Sequence, residues 1–172
     1  MKHPEVRIGL INPKSPENVG SVLRAGANFR VDGIFYTGHR YPRALMRNPA
    51  IPDMSRKLSE NVPISGVSCL LEDIAENMKI VCVEFAENAT PLPEFNHPDA
   101  AYYIFGPEDG TLSQELIDRS DAVIYVPTIG CMNLAATVNV VLYDRLAKQS
   151  QYFTNNDLIR RSRDTNNNLK VR

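Results

Sequence analysis

The chain has 172 residues, 43% of them apolar, and a formal net charge of −1, enough to bury one core without disulfide or metal staples. That balance excludes the wholesale basic character of a strong nucleic-acid binder, while leaving room for local basic patches. The N-terminus, MKHPEVRIGLI, holds too short an apolar run for a signal peptide, and no stretch approaches the ~20 apolar residues of a membrane span, so a cytoplasmic protein is expected.

In chain order, VRIGLI (6–11) predicts a strand because it is short, apolar and β-branched. NVGSVLRAGANF (18–29) places Val19, Val22, Leu23 and Ala27 at helical spacing. GIFYT (33–37) predicts a second strand, and residues 39–66, rich in Pro, Arg, Ser and Asn, a long loop with one short helical turn. Long loops inside compact domains are often functional. SCLLEDIAENM (68–78) has Leu70, Leu71, Ile74 and Met78 on one helical face, followed by strands at IVCVEF (80–85) and AYYIFG (101–106). Ser113 is placed to cap a helix over SQELIDRS, AVIYVP (122–127) predicts the last strand, and NLAATVNVVLYDRLAK (133–148) the principal packing helix. These elements make residues 1–150 one domain; 151–172 form a polar, basic tail, either without fixed structure or helical around NDLIRRSR. Strands alternating with helices argue for a Rossmann-like α/β fold, a mainly parallel sheet with helices on both faces.

The three cysteines, Cys69, Cys82 and Cys131, are scattered and suit reduced thiols. His3, His39 and His97 are equally dispersed, and no Cys/His/carboxylate spacing matches a zinc site, so no metal is expected. Arg40, Arg43, Arg47, Arg56 and Lys57 cluster in the long loop, while Arg160, Arg161, Arg163, Lys170 and Arg172 crowd the C-terminus. Taken alone, each cluster reads equally well as a solvated surface.

Three segments follow predicted strands and run into helix starts: NPKSPENVGSVLR, GPEDGTLS and VPTIGCMNL. Strand ends of a parallel sheet share one edge, so these corners can meet in space, presenting free backbone N–H groups. Neither G-x-x-x-x-G-K-[ST] nor G-x-G-x-x-G occurs in the chain, which removes support from simple NTPase and dinucleotide readings.

N-x-G-x-x-x-R followed by Phe (Asn18, Gly20, Arg24, Phe29), FGPEDGTLS and VPTIGCMNLAATVNVVLYD together resemble, in order and separation, the three signature motifs of the TrmH, or SpoU, branch of the SPOUT RNA methyltransferases. The likeness spans residues 6 to about 147, and the chain is similar to the minimal TrmL-like members, which methylate the ribose of a tRNA wobble nucleotide. It implies a C-terminal trefoil knot, bound S-adenosylmethionine and a homodimer, with RNA, tRNA ahead of rRNA, as substrate. It also implies cofactor contacts at Gly106, Val126, Cys131 and Met132, and a catalytic group comprising Arg24, Asn18, Glu108 and Asn133.

Glycine at 106 would let the adenosyl group reach the backbone. Arg24 lies in a mostly apolar helical pattern, where a charge needs a partner. A guanidinium holds its proton too strongly to act as a base, so Arg24 would orient the ribose hydroxyl and a neighbouring phosphate. Glu108 would secure its loop or balance the sulfonium charge. With RNA as substrate, Arg40, Arg43, Arg47, Arg160 and Arg161 become a phosphate-binding rim, and His39, Tyr41 and Tyr152 candidates for base stacking.

Three features depart from the family pattern: Cys131 where serine is common, a short span from Pro127 to Met132, and Arg30 where glycine usually follows the phenylalanine. The first supports an alternative, an RNA-binding protein of the same fold without catalysis. Another is a small-molecule methyltransferase or nucleotide-binding module.

Overall fold

The computed structural model describes residues 4–47, 62–149 and 155–171. Seven strands form one parallel sheet: β1 (Val6–Leu10), β2 (Gly33–Tyr36), β3 (Ile64–Gly66), β4 (Lys79–Val83), β5 (Thr90–Pro91), β6 (Ala101–Phe105) and β7 (Ala122–Tyr125), in the order β3-β2-β1-β6-β4-β7-β5. β6 runs through the middle, Ala101 to Phe105 matching Val6 to Leu10 on one side and Lys79 to Val83 on the other. All five of its residues are buried, as a strand covered on both faces requires.

The helices are α1 (Pro16–Asn28), α2 (Arg40–Arg47), α3 (Gln114–Asp118), α4 (Leu134–Lys148) and α5 (Asn156–Ser162). α1 begins two residues before the apolar pattern does, because Ser15 caps it by accepting from the Asn18 N–H and Pro16 fits the first turn. Alternation of side chains along the strands divides the core. Val6, Ile8, Leu10, Val81 and Tyr103 face α1 and α4, packing with Val19, Val22, Val138, Val141 and Leu142. Cys82, Tyr102 and Ile104 face the opposite layer, which holds Leu70, Met78 and Leu116 of α3. Burial pushes the Cys82 thiol up to about 11, which keeps it protonated.

The helix expected over 68–78 does not form; the segment is a run of turns. Asp73 takes a left-handed φ of 53° and its carbonyl accepts from Arg7 Nη1 at 3.2 Å, while Cys69 Sγ accepts from the Leu71 N–H. Leu70 and Met78 are buried all the same. That burial is worth roughly 1.5–3 kcal/mol per side chain, against a few tenths per residue in helix propensity, so packing overrides periodicity. Leu70 reaches the sheet because Gly9 has no side chain; a Cβ there would sit 2.8 Å from Leu70 Cδ1.

In the long loop, the expected helical turn is the eight-residue α2, and β3 forms where no strand was expected. Residues 48–61, with Arg56 and Lys57, lie outside the described residues. The tail contains α5, capped by Asn155, at the place the NDLIRRSR pattern suggests.

Candidate active site at the meeting of three corners

The turns that leave β1, β6 and β7 are bonded to one another. Glu108 Oε2 accepts from the Lys14 N–H at 2.8 Å, and Oε1 accepts from the Ser15 N–H at 3.0 Å and from Asn18 Nδ2 at 3.2 Å. Asn18 Oδ1 in turn accepts from Asn133 Nδ2 at 2.9 Å, and Asn133 caps α4 through the Ala135 and Ala136 N–H groups. The Glu108–Asn18–Asn133 chain therefore ties residues more than a hundred positions apart, and it uses free amides at the head of α1 that the helix itself cannot satisfy. Partial burial acts to raise the Glu108 carboxyl, but its hydrogen bonds from Ser15, Lys14 and Asn18 outweigh this and hold it below its ordinary value of 4.5. Glu108 is thus a fixed anion, well suited to holding the corner and poorly suited to receiving a proton.

Beside this chain lies an open cleft of about 150 Å³. Gly106, Pro107, Glu108 and Gly110 form one wall, Tyr125, Val126, Thr128, Cys131 and Met132 another, and Val83, Glu84 and Phe85 the floor and rim. Phe85 and Tyr125 meet with ring centroids 5.8 Å apart. Glu84 was not anticipated; the signal available was an acid at the C-terminal end of a strand. It shapes the cleft, because its Oε2 accepts from the Leu112 N–H at 2.9 Å and so pins the far side of the 106–112 turn to β4.

The lining chemistry discriminates among cofactors. Two carboxylates border the cleft, and no lysine or arginine among the described residues lines it. A phosphate-bearing cofactor would find no counter-ion here, whereas a cationic sulfonium beside an aromatic and apolar wall fits. Gly106 points the same way. It has no left-handed φ, and a Cβ placed on it would be in ordinary contact, 3.4 Å from Glu84 Oε2 and 3.5 Å from the Leu112 nitrogen. Nothing within the chain demands glycine at 106, so the space is available to a ligand.

The candidate cofactor residues Gly106, Val126, Cys131 and Met132 all line this cleft. Asn18, Glu108 and Asn133 are brought into contact beside it. Arg24 is not part of this group. Six residues along α1 from Asn18, it lies about 9 Å further down the helix axis, exposed and, among the described residues, with no side-chain hydrogen bond or ion pair. The argument that its apolar setting demands a partner is corrected by that exposure: the guanidinium projects into water.

The basic residues separate. Arg43 and Arg47 are exposed on α2, whereas Arg40 is half-buried and bonded to Asp109 and Asn12. Arg160 pairs with Asp157 inside α5, as does Arg161 with the Asp157 carbonyl, and no hydrogen bond among the described residues joins α5 to the cleft. Tyr41 packs edge-on against Tyr36 at 5.2 Å, His39 is exposed, and Tyr152 lies outside the described residues.

Residues 5–143 match the model of the SpoU rRNA methylase family. A TrmH-family tRNA/rRNA methyltransferase homologue of Staphylococcus aureus strain COL is 23% identical over 142 residues, 79% of this chain and 56% of the relative; the chain thus spans little more than half the length of such curated relatives. Among solved structures, one concerned with 2-OH methylation of C/U34 on tRNA superposes with a TM-score of 0.71 at 21% identity, covering 86% of this chain and 92% of that one. The SpoU methyltransferase AviRb of Streptomyces viridochromogenes, solved with AdoMet, gives 0.67 at 17% identity, covering 84% and 58%. At these identities the superpositions establish a shared fold, and the family match supplies the rest: the chain belongs to the SpoU methylase family.

Proposed function

We propose that the chain is an S-adenosylmethionine-dependent RNA methyltransferase acting on a ribose 2′-hydroxyl, with tRNA as the substrate class. One observation carries the reading: three strand-end corners, bonded through Glu108, Asn18 and Asn133, border a cleft with two carboxylates and no basic side chain among the described residues. Solved relatives support it, one with AdoMet bound and one concerned with 2-OH methylation of tRNA.

When bound, S-adenosylmethionine would supply an electrophilic methyl on a positively charged sulfur; its transfer to the ribose oxygen would form one O–C bond and break one S–C bond, with the hydroxyl proton passing to solvent water. The chain's own residues position these parts. Gly106, Val126 and Met132 hold the donor by backbone and apolar contact, Cys131 offers a small side chain at the mouth, and the fixed anion Glu108 keeps the three walls in register. Positioning of this kind accounts for a large part of the rate in two-substrate reactions. Arg24 supplies electrostatic support for the hydroxyl oxygen as its charge develops, and does not take the proton.

Because Arg24 lies outside the cleft of its own chain, the reading includes a homodimer that brings the α1 and α4 surfaces of two copies together. The exposed Tyr143 and Leu146 on α4 and the fully exposed Ile129 beside the cleft support it. Arg43 and Arg47 form the nearer part of the phosphate rim, with Arg160 and Arg161 in the tail. The trefoil knot belongs to the same proposal.

Radiolabelled methyl transfer to bulk tRNA and rRNA, followed by nuclease digestion, tests the assignment. Label in ribose-methylated nucleotides of tRNA is expected. Label confined to a base, or none on any RNA, would refute it. Static light scattering gives the oligomeric state, expected at twice the chain mass.

A further inference from the structure

Arg40 stands apart from the other arginines of the basic cluster because its guanidinium is already spent. Nη1 donates to both carboxylate oxygens of Asp109, at 2.7 and 2.9 Å, while Nε and Nη2 donate to the Asn12 carbonyl at 3.0 and 2.6 Å. A planar fork that grips a carboxylate on one edge and a carbonyl on another fixes two backbone segments at once, which a lysine cannot do.

The segment held on the carbonyl side is strained. Asn12 has a φ of +41° and is followed by Pro13, although a residue before proline favours extended backbone. Its conformation is gripped from several directions: its N–H donates to Thr37 Oγ1 at 3.3 Å, and its side chain packs against Gly38, where a Cβ would collide with it. Gly38 itself has a left-handed φ of 80°, so glycine serves both backbone and packing there. Two residues beyond Asn12 begin the amides of Lys14 and Ser15 that hold Glu108. On the other side, Asp109 is the direct neighbour of Glu108, and Lys14 Nζ adds a second, longer contact to it at 3.7 Å.

From this geometry we infer that Arg40 is a positioning residue for the methyl-donor cleft: it braces the strained Asn12 corner against the 106–110 turn, and it does not serve RNA. The inference rests on the donor site proposed above. It divides α2 by function, with Arg40 at its first turn bonded to Asn12 and to Asp109 of the 106–110 turn, and Arg43 and Arg47 facing solvent. Removal of the brace lets Asn12 relax towards extended backbone, which draws the Lys14 and Ser15 amides from Glu108 and loosens the wall that contains Gly106.

The test uses the full chain and three measurements on Arg40→Ala, Arg40→Lys, Asp109→Asn and the Arg40→Ala/Asp109→Asn pair: calorimetric affinity for S-adenosylmethionine, filter retention of bulk tRNA without the donor, and amide hydrogen exchange across 106–112. Arg40→Ala is expected to weaken donor affinity by about fivefold to tenfold, the scale of losing one well-formed ionic contact, and to speed exchange in the turn. Retention of tRNA stays within about twofold of wild type, as for any residue that makes no phosphate contact. The paired variant is no weaker than the worse single one, because both break the same link. Arg43→Ala gives the opposite pattern, with tRNA retention reduced and donor affinity kept.

Unchanged donor affinity and exchange in Arg40→Ala, with a salt-dependent loss of tRNA retention, would overturn the inference and return Arg40 to the RNA rim. Wild-type protein that binds no S-adenosylmethionine would refute the functional reading instead. The exchange measurement still decides the brace in that case: faster exchange across 106–112 upholds it and unchanged exchange rejects it. Arg40→Lys, which keeps the charge without the fork, gives the same decision if the alanine variant fails to fold.

Discussion

The two ends of α4 are held in contrasting ways. Its N-terminus is capped by Asn133, an exposed side chain that also bonds Asn18 beside the cleft. Its C-terminal half is anchored by Arg145, which is only 6% exposed and donates to the Pro98 and Asp99 carbonyls and to the Tyr103 hydroxyl. Beside it, His97 lies between the Tyr103 hydroxyl at 2.6 Å and Asp144 at 2.9 Å, and Lys148 ties Asp144 to the Leu92 and Phe95 carbonyls. Every group is satisfied with a neutral imidazole that donates from Nε2 to Asp144 and accepts at Nδ1 from Tyr103. One end is polar and open to solvent; the other is polar and buried at Arg145 and Tyr103, with Asp99 and Lys148 at its exposed edge. A buried group costs heavily when its partner is removed, because it cannot turn to water; an open network can be altered with little loss of fold. On the proposed reading, function and stability are assigned to opposite ends of the same helix.

Substitutions can break that division. The largest effect is expected from Arg145→Met, which keeps the apolar stem but strands two carbonyls: chemical denaturation should show a loss of roughly 3 kcal/mol. A loss within about 0.5 kcal/mol, the range of ordinary surface changes, would show that the clamp does not anchor the helix. Next is Arg24→Ala on α1, where turnover on tRNA should fall on the order of a hundredfold with the melting temperature and donor affinity unaltered. Reduced turnover together with a lowered melting temperature would mean that Arg24 supports the fold. Gly106→Ala should follow, with donor affinity reduced about tenfold, or 1.4 kcal/mol, and no loss of stability, since the chain itself leaves room for the methyl group.

The smallest effect concerns pH. Burial lowers the His97 pKa below its ordinary value of 6.5, against the opposing pull of Asp144. The unfolded chain then binds the proton more readily than the folded one. Stability is therefore complete above about pH 6.5 and declines as pH falls from there towards the depressed folded value. Thermal melts between pH 8 and 5.5 should show this decline, and His97→Asn should flatten it. The open end has its own window: Glu108, held below 4.5, contributes fully above that value, and its contribution is lost only as pH falls through the folded pKa. Donor binding should thus persist at pH values where the clamp has already weakened.

Five of the seven strands and the shared edge were legible because they depend on short apolar runs and on turn chemistry, both written locally; the short edge strands β3 and β5 carry no such run. The turn FGPEDGTLS is an example: Ser113 caps α3 by accepting from the Leu116 N–H, as its position suggested. What escaped depends on partners distant in sequence. The 68–78 segment carries helical spacing, but Arg7, sixty-six residues away from Asp73, captures that residue's carbonyl, and the sheet takes Leu70 and Met78 without a helix. Arg40 looked like one member of a basic cluster because nothing local marks Asp109 as its partner. Arg24 was read as needing a partner because a one-dimensional pattern cannot show which side of α1 stays uncovered. Glu84 was missed for the converse reason: its neighbours in space, Gly106 and Leu112, are more than twenty positions away.

The scarcity of positive charge around the cleft has a bearing on turnover. On the proposed reaction the donor arrives with a cationic sulfur and departs as an uncharged thioether, so a pocket bordered by Glu84 and Glu108 attracts the fresh molecule more strongly than the used one. The same two acids that admit the donor thereby favour exit of its remnant, and each cycle gains a direction from the charge it has consumed.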